Sequence, residues 1–90
     1  MEDTISSWRE DLTKAMQSHG ETWGDVESCT LTDEQLHAKF DHGYGGTLGE
    51  PFTLWTKGRV YFPVQYDGSE WVESVPRNPD GKATPHFGGG

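Results

Sequence analysis

Ninety residues, one cysteine and a formal net charge of −8 describe a small acidic domain. The lone Cys29 excludes an intramolecular disulfide, and the acidity disfavours direct binding to nucleic acid or anionic membrane, since both demand a basic footprint. No run approaches the roughly 18–20 apolar residues of a membrane span, and the opening MEDTISSW is polar, so a cytoplasmic location is expected.

Residues 1–41 carry ten acidic side chains against three basic ones, whereas 42–90 are nearly balanced. The first part of that half reads as a helix over about 4–18, capped by Asp3 or Thr4 and stopped by Gly20. Ile5, Trp8, Leu12 and Met16 fall on one face at helical spacing. The acidic stretch 21–31 holds Trp23, a short extended piece around Val26, Cys29 and Leu31, and the carboxylates Glu21, Asp25 and Glu27. Cys29 reads as a small buried hydrophobe, because no basic residue lies nearby in sequence to lower its pKa.

Thr32-Asp33-Glu34-Gln35 fits a capping box, with Leu31 and Leu36 as its hydrophobic staple, and starts a second helix over about 32–41. The glycine-rich run 42–51, HGYGGTLGEP, implies a sharply turning or closely approaching backbone. A phosphate cradle there is disfavoured, since the run follows a helix, precedes a strand and lacks Lys or Arg.

Pro51 to Pro76 reads as an antiparallel meander with turns at Lys57-Gly58 and Asp67-Gly68. This predicts strands over about 51–57, 59–66 and 69–75. In that register Trp55 faces Val60, Phe62 faces Glu73, Val64 faces Trp71 and Tyr66 faces Ser69. One sheet face then holds Trp55, Val60, Phe62, Val64 and Trp71, and the other Phe52, Leu54, Tyr61 and Val72. The first is the bulkier, so it is expected to meet the helices, with Trp8, Leu12, Leu36 and Phe40 completing the core. Pro63 requires either a bulge or an edge position. The expected fold is α+β: two short helices on a three-stranded meander, forming one domain over 1–76. An irregular Pro/Gly-rich tail over 77–90 follows, which Phe87 is able to pin.

The run PFTLWTKGRVYFPVQYDGSEWVESVPRNP, preceded by FDHGYGG, resembles small uncharacterised proteins encoded by tailed phages and prophages, over residues 40–79. The resemblance implies a cytoplasmic accessory protein that acts by binding a host or phage macromolecule.

Four histidines, His19, His37, His42 and His86, raise a metal site, but His37 and His42 are not at the i,i+4 spacing of a helical zinc pair. No nucleophile motif and no cofactor motif occurs, so an enzyme is not expected. The alternative is a small metal-dependent or hydrolytic enzyme built on His37, Asp41 and His42. The favoured reading is a protein-binding surface that meets a basic or mixed partner. Glu21, Asp25 and Glu27 would steer association, Tyr44, Trp55, Tyr61 and Trp71 would supply affinity, and Arg59 would flank the patch.

Overall fold

Strand β1, Ile5–Ser7, runs directly into helix α1, Trp8–Ser18, in a computed structural model that describes residues 5–41, 49–66 and 69–87. The helix starts at Trp8 and not near residue 4, because Ser7-Trp8-Arg9-Glu10 is itself a capping box. Glu10 donates its backbone N–H to Ser7 Oγ at 3.2 Å, and Ser7 N–H returns the bond to Glu10 Oε2 at 2.9 Å. That backbone N–H, with Lys39 3.9 Å away, holds the Glu10 carboxyl below its usual range. Asp3 and Thr4 lie outside the described residues. Ile5, expected on the apolar stripe of the helix, is in β1 and 51% exposed.

The helix buries Trp8, Leu12 and Met16, four residues apart along one face. It ends as the sequence indicates. Gly20, at φ 72°, donates to Gln17 O at 3.1 Å, and Glu21 N–H reaches Met16 O at 2.8 Å. This is a Schellman stop, and the positive φ is why a glycine stands there. A 3-10 turn, Trp23–Asp25, follows, closed by reciprocal bonds between Thr22 and Asp25.

Strand β2, Val26–Cys29, leads to helix α2, Asp33–His37, which Thr32 and Gln35 cap as expected. Leu36 is buried, and Leu31 packs on the same core. The helix is shorter than the sequence suggests: Ala38 turns extended, and Lys39–Asp41 becomes strand β3, paired antiparallel with β1. Pairing with a second strand thus overrides the helical reading of Phe40, which packs instead against the core edge.

Three further strands, β4 (Leu54–Thr56), β5 (Arg59–Tyr66) and β6 (Ser69–Pro76), form the expected meander. Its register agrees with the sequence at Trp55↔Val60, Phe62↔Glu73, Val64↔Trp71 and Tyr66↔Ser69. The sheet has four strands, however, in the order β2-β4-β5-β6, because β2 adds to the outer side of β4. Pro63 sits in an unbroken ladder opposite Val72. Among the described residues β4 pairs with Val60 and Tyr61 alone, so there β5 from Phe62 onward is an edge on that side, where proline is tolerated.

The helices pack on the face opposite to the expected one. Phe52, Leu54 and Tyr61 are buried with Trp8, Leu12, Met16 and Leu36, and Val72 packs against them. Trp55, Val60, Phe62, Val64 and Trp71 point away from this core and are half-buried. The volume that fills the interior comes from the helix side: the Trp8 ring lies 4.8 Å from Phe40 and 5.0 Å from Phe52. Polar residues at inner positions, Thr56, Glu70 and Ser74, disguise the inner face, but each is hydrogen-bonded there.

Arg77–Phe87 has no regular secondary structure. Within the glycine-rich run, only Gly49 and Glu50 precede Pro51 among the described residues. Gly49 shows the close approach that the composition implies: a Cβ there would lie 2.7 Å from Trp8 Cζ2 and 2.8 Å from Phe40 Cζ. The phosphate-cradle question lies outside the described residues.

Candidate docking face

Alternation along β4, β5 and β6 places Trp55, Val60, Phe62, Val64, Trp71 and Val75 on the sheet face away from both helices. Cross-strand pairs Val60↔Val75 and Val64↔Trp71 join them into a continuous surface. None of the six packs against the buried core. Val60 and Val64 are four residues apart on β5, so the patch runs about 13 Å along the strand. Tyr66 ends it, 51% exposed.

Glu73 places a carboxylate within this face. Glu73 accepts the Trp71 indole N–H at Oε2, 2.9 Å away, which orients the ring on the sheet surface. At the other end Phe87, from the irregular C-terminal segment, lies on Phe62 with ring centroids 5.7 Å apart and planes at 59°. The arrangement offers aromatic and branched aliphatic area with a polar rim, which suits recognition of a protein side chain.

The structure separates the residues that the sequence groups together. Trp55 and Trp71 lie on this face. Tyr61 has the opposite parity, is fully buried and cannot serve as a surface anchor. Arg59 shares that parity and is committed to β6, donating from Nε to Ser74 Oγ at 2.7 Å and from Nη2 to Ser74 O at 3.3 Å. Tyr44 lies outside the described residues. Trp23 sits on the helix side, its indole N–H on Thr13 Oγ1 at 2.8 Å and its ring beneath the Arg9 guanidinium at 3.8 Å.

The three carboxylates read as free for steering each have an intramolecular partner. Glu21 accepts the Tyr61 hydroxyl at Oε1, 2.6 Å away, and the Thr56 hydroxyl at Oε2, 2.8 Å away. Asp25 Oδ2 accepts Thr22 N–H at 2.9 Å, and Glu27 forms an ion pair with Arg77. Burial, reinforced by the hydrogen bond and charge of Glu21, pushes the Tyr61 phenol well above its usual range. Nothing in the sequence spacing marks the Glu21–Tyr61 contact, which depends on where the chain emerges after α1.

Of the alternative catalytic set, His37 is exposed and its Nδ1 lies 2.8 Å from Asp33 O. His42 and the side chain of Asp41 lie outside the described residues. Among the described residues, no group of three or more His, Cys, Asp or Glu is arranged to hold a metal, and no helix is long and apolar enough to cross a membrane. The chain matches no protein-family model, no curated protein and no solved structure.

Proposed function

We propose that this protein is a non-enzymatic binding module whose docking surface is the helix-free sheet face. The observation that carries the reading is the segregation of six apolar side chains, Trp55 and Trp71 among them, on a face that contributes nothing to the core. Aromatic anchors in a patch bordered by polar groups are the usual source of affinity at protein interfaces. A net charge of −8 favours a partner of basic or mixed surface and speeds its encounter. Mimicry of nucleic acid is a weaker variant, because Glu10, Glu21, Asp25 and Glu27 are each tied to a neighbour in the chain. The resemblance to phage proteins would make the partner a host or phage protein in the cytoplasm.

Site-specific photo-crosslinking tests the proposal. A benzophenone side chain replaces Val64 on the docking face or, as a control, exposed Gln17 on α1. The expected result is one discrete protein adduct from position 64 only, lost when Val60→Lys is added. Equal labelling from both positions, or no adduct from position 64 in the native host, would remove this face from consideration.

A further inference from the structure

The route of the C-terminal segment bears directly on that face. Arg77 fixes its departure: the backbone N–H reaches Gly58 O at 2.9 Å, and Nη1 reaches Thr56 O at 2.9 Å. From Asn78 to His86 every residue is exposed. Lys82 N–H donates to Asp80 Oδ1 at 2.9 Å, a bond that closes within the segment itself. The chain then returns to the body at Phe87, which is half-buried on Phe62. A groove of about 320 Å³ runs between segment and body, lined by His19, Arg59, Glu73, Pro76, Lys82 and Phe87 among others.

One half-buried ring therefore holds a stretch of exposed backbone. The apolar gain from a single phenyl side chain is comparable to the ordering entropy of one or two residues, so the clip is reversible by its nature. Its seat is the centre of the apolar face, since Phe62 pairs across to Glu73 and lies between Val60 and Val64 on the same side of β5.

We propose that Asp80–Phe87 is a resident ligand of the sheet face, holding on Phe62 the seat that an aromatic side chain in an extended segment of the partner takes. The partner binds by displacing it. This rests on the reading of the face as a docking surface and specifies what it recognises: an aromatic residue carried on irregular, proline-stiffened chain like Thr84-Pro85-His86-Phe87. With the segment displaced, the body side of the groove keeps Glu73 and the Ser74-bonded Arg59, one charge of each sign, to meet the polar groups of an incoming peptide. The tethered ring competes at the high effective concentration of a short linker, so the free face is only a fraction of the population.

The test uses the full chain and a synthetic peptide of its own residues 79–87, PDGKATPHF. Binding to wild type and to Phe87→Ala is followed through the indole N–H resonances of Trp55 and Trp71 and the methyls of Val60 and Val64. Phe87→Ala should bind the peptide saturably, and wild type at least about fivefold more weakly. A peptide with its phenylalanine replaced by alanine should leave the spectra unchanged. Equal affinity for both proteins would overturn the proposal, as would no binding to Phe87→Ala up to roughly millimolar peptide, the concentration a short tether supplies. An adduct from position 64 combined with silent peptide titrations rejects the resident ligand and keeps the docking face. Peptide binding without any adduct rejects the docking face and, with it, displacement by a partner, leaving only a segment that clips to its own sheet.

Discussion

The Tyr61 hydroxyl donates to Glu21 Oε1 at 2.6 Å across forty residues of sequence. The same carboxylate accepts the Thr56 hydroxyl, so one side chain joins the stop of α1 to both β4 and β5. Thr56 Oγ1 in turn accepts the Arg59 N–H at 2.9 Å, closing the turn between those strands. Glu21 is thereby a structural residue at the hinge of the helix and the sheet. Its acidity contributes to the net charge, but its geometry serves the fold.

Removing that acceptor should be costly. Glu21→Ala leaves the buried Tyr61 hydroxyl without its partner, and the expected loss is about 1–3 kcal/mol of unfolding free energy. Tyr61→Phe in the same background should restore part of it, because no orphaned hydroxyl then remains. A double-mutant cycle in urea gives the coupling, expected at about 0.5–3 kcal/mol. Additive effects of the two changes would show that the contact carries no energy.

The displaced phenol also makes stability depend on alkaline pH. Burial and Glu21 keep Tyr61 protonated in the fold, whereas an unfolded tyrosine ionises near pH 10. Above that pH the unfolded chain binds fewer protons than the folded one, so stability falls as pH rises. The contribution is fully present below pH ~10 and declines above it by up to about 1.4 kcal/mol per pH unit. Tyr61→Phe should show a shallower decline between about pH 10 and 11.5. Parallel curves for the two proteins in denaturant titrations would contradict the assignment.

The inverted sheet face reverses an energetic ranking. Leu54 is fully buried against the helices, and Leu54→Ala should cost about 2–5 kcal/mol. Phe62, although larger, is half-buried outside the core, and Phe62→Ala should cost only about 1–2 kcal/mol. Thermal melts of the two variants decide the order. A greater loss for Phe62→Ala would mean that the outer face carries the hydrophobic core.

Local chemistry was legible in the sequence, and its global use was not. Thr32-Asp33-Glu34-Gln35 reads as a helix start because a capping box is closed within four residues, and Gly20 reads as a stop for the same kind of reason. The pairing of Trp55 with Val60 follows from turn chemistry and side-chain parity. Which face turns inward depends on helices distant in sequence, and bulk alone pointed the wrong way. Thr56, Glu70 and Ser74 look like solvent-facing residues until their partners Glu21, Gly49 and Arg59 are placed beside them. The β1–β3 pair is not legible, because Ile5 continues the apolar stripe of α1 and three-residue strands carry little pattern of their own. Alternation groups Trp55, Val60, Phe62, Val64 and Trp71 on one face, as the strand register shows, but that face turns away from the helices and not toward them.

Gly49 provides the last check, on packing where the chain re-enters the core. Its amide donates to the buried carboxylate of Glu70 at 3.1 Å, and its α-carbon lies against the Trp8 and Phe40 rings. An alanine Cβ would stand 2.7–2.9 Å from atoms of both rings, inside van der Waals contact. Trp8 has little room to retreat, since it is 1% exposed and its indole N–H is fixed on Glu50 O at 2.9 Å. Gly49→Ala should therefore destabilise the protein by about 1–3 kcal/mol through overpacking. Gly24→Ala is the control, because a Cβ there meets only Thr22 Oγ1 at 3.4 Å. Urea midpoints and the Trp8 indole resonance report the outcome together. A Gly49→Ala protein as stable as the Gly24→Ala control, with that resonance unmoved, would show that the Trp8–Phe40 pocket yields freely.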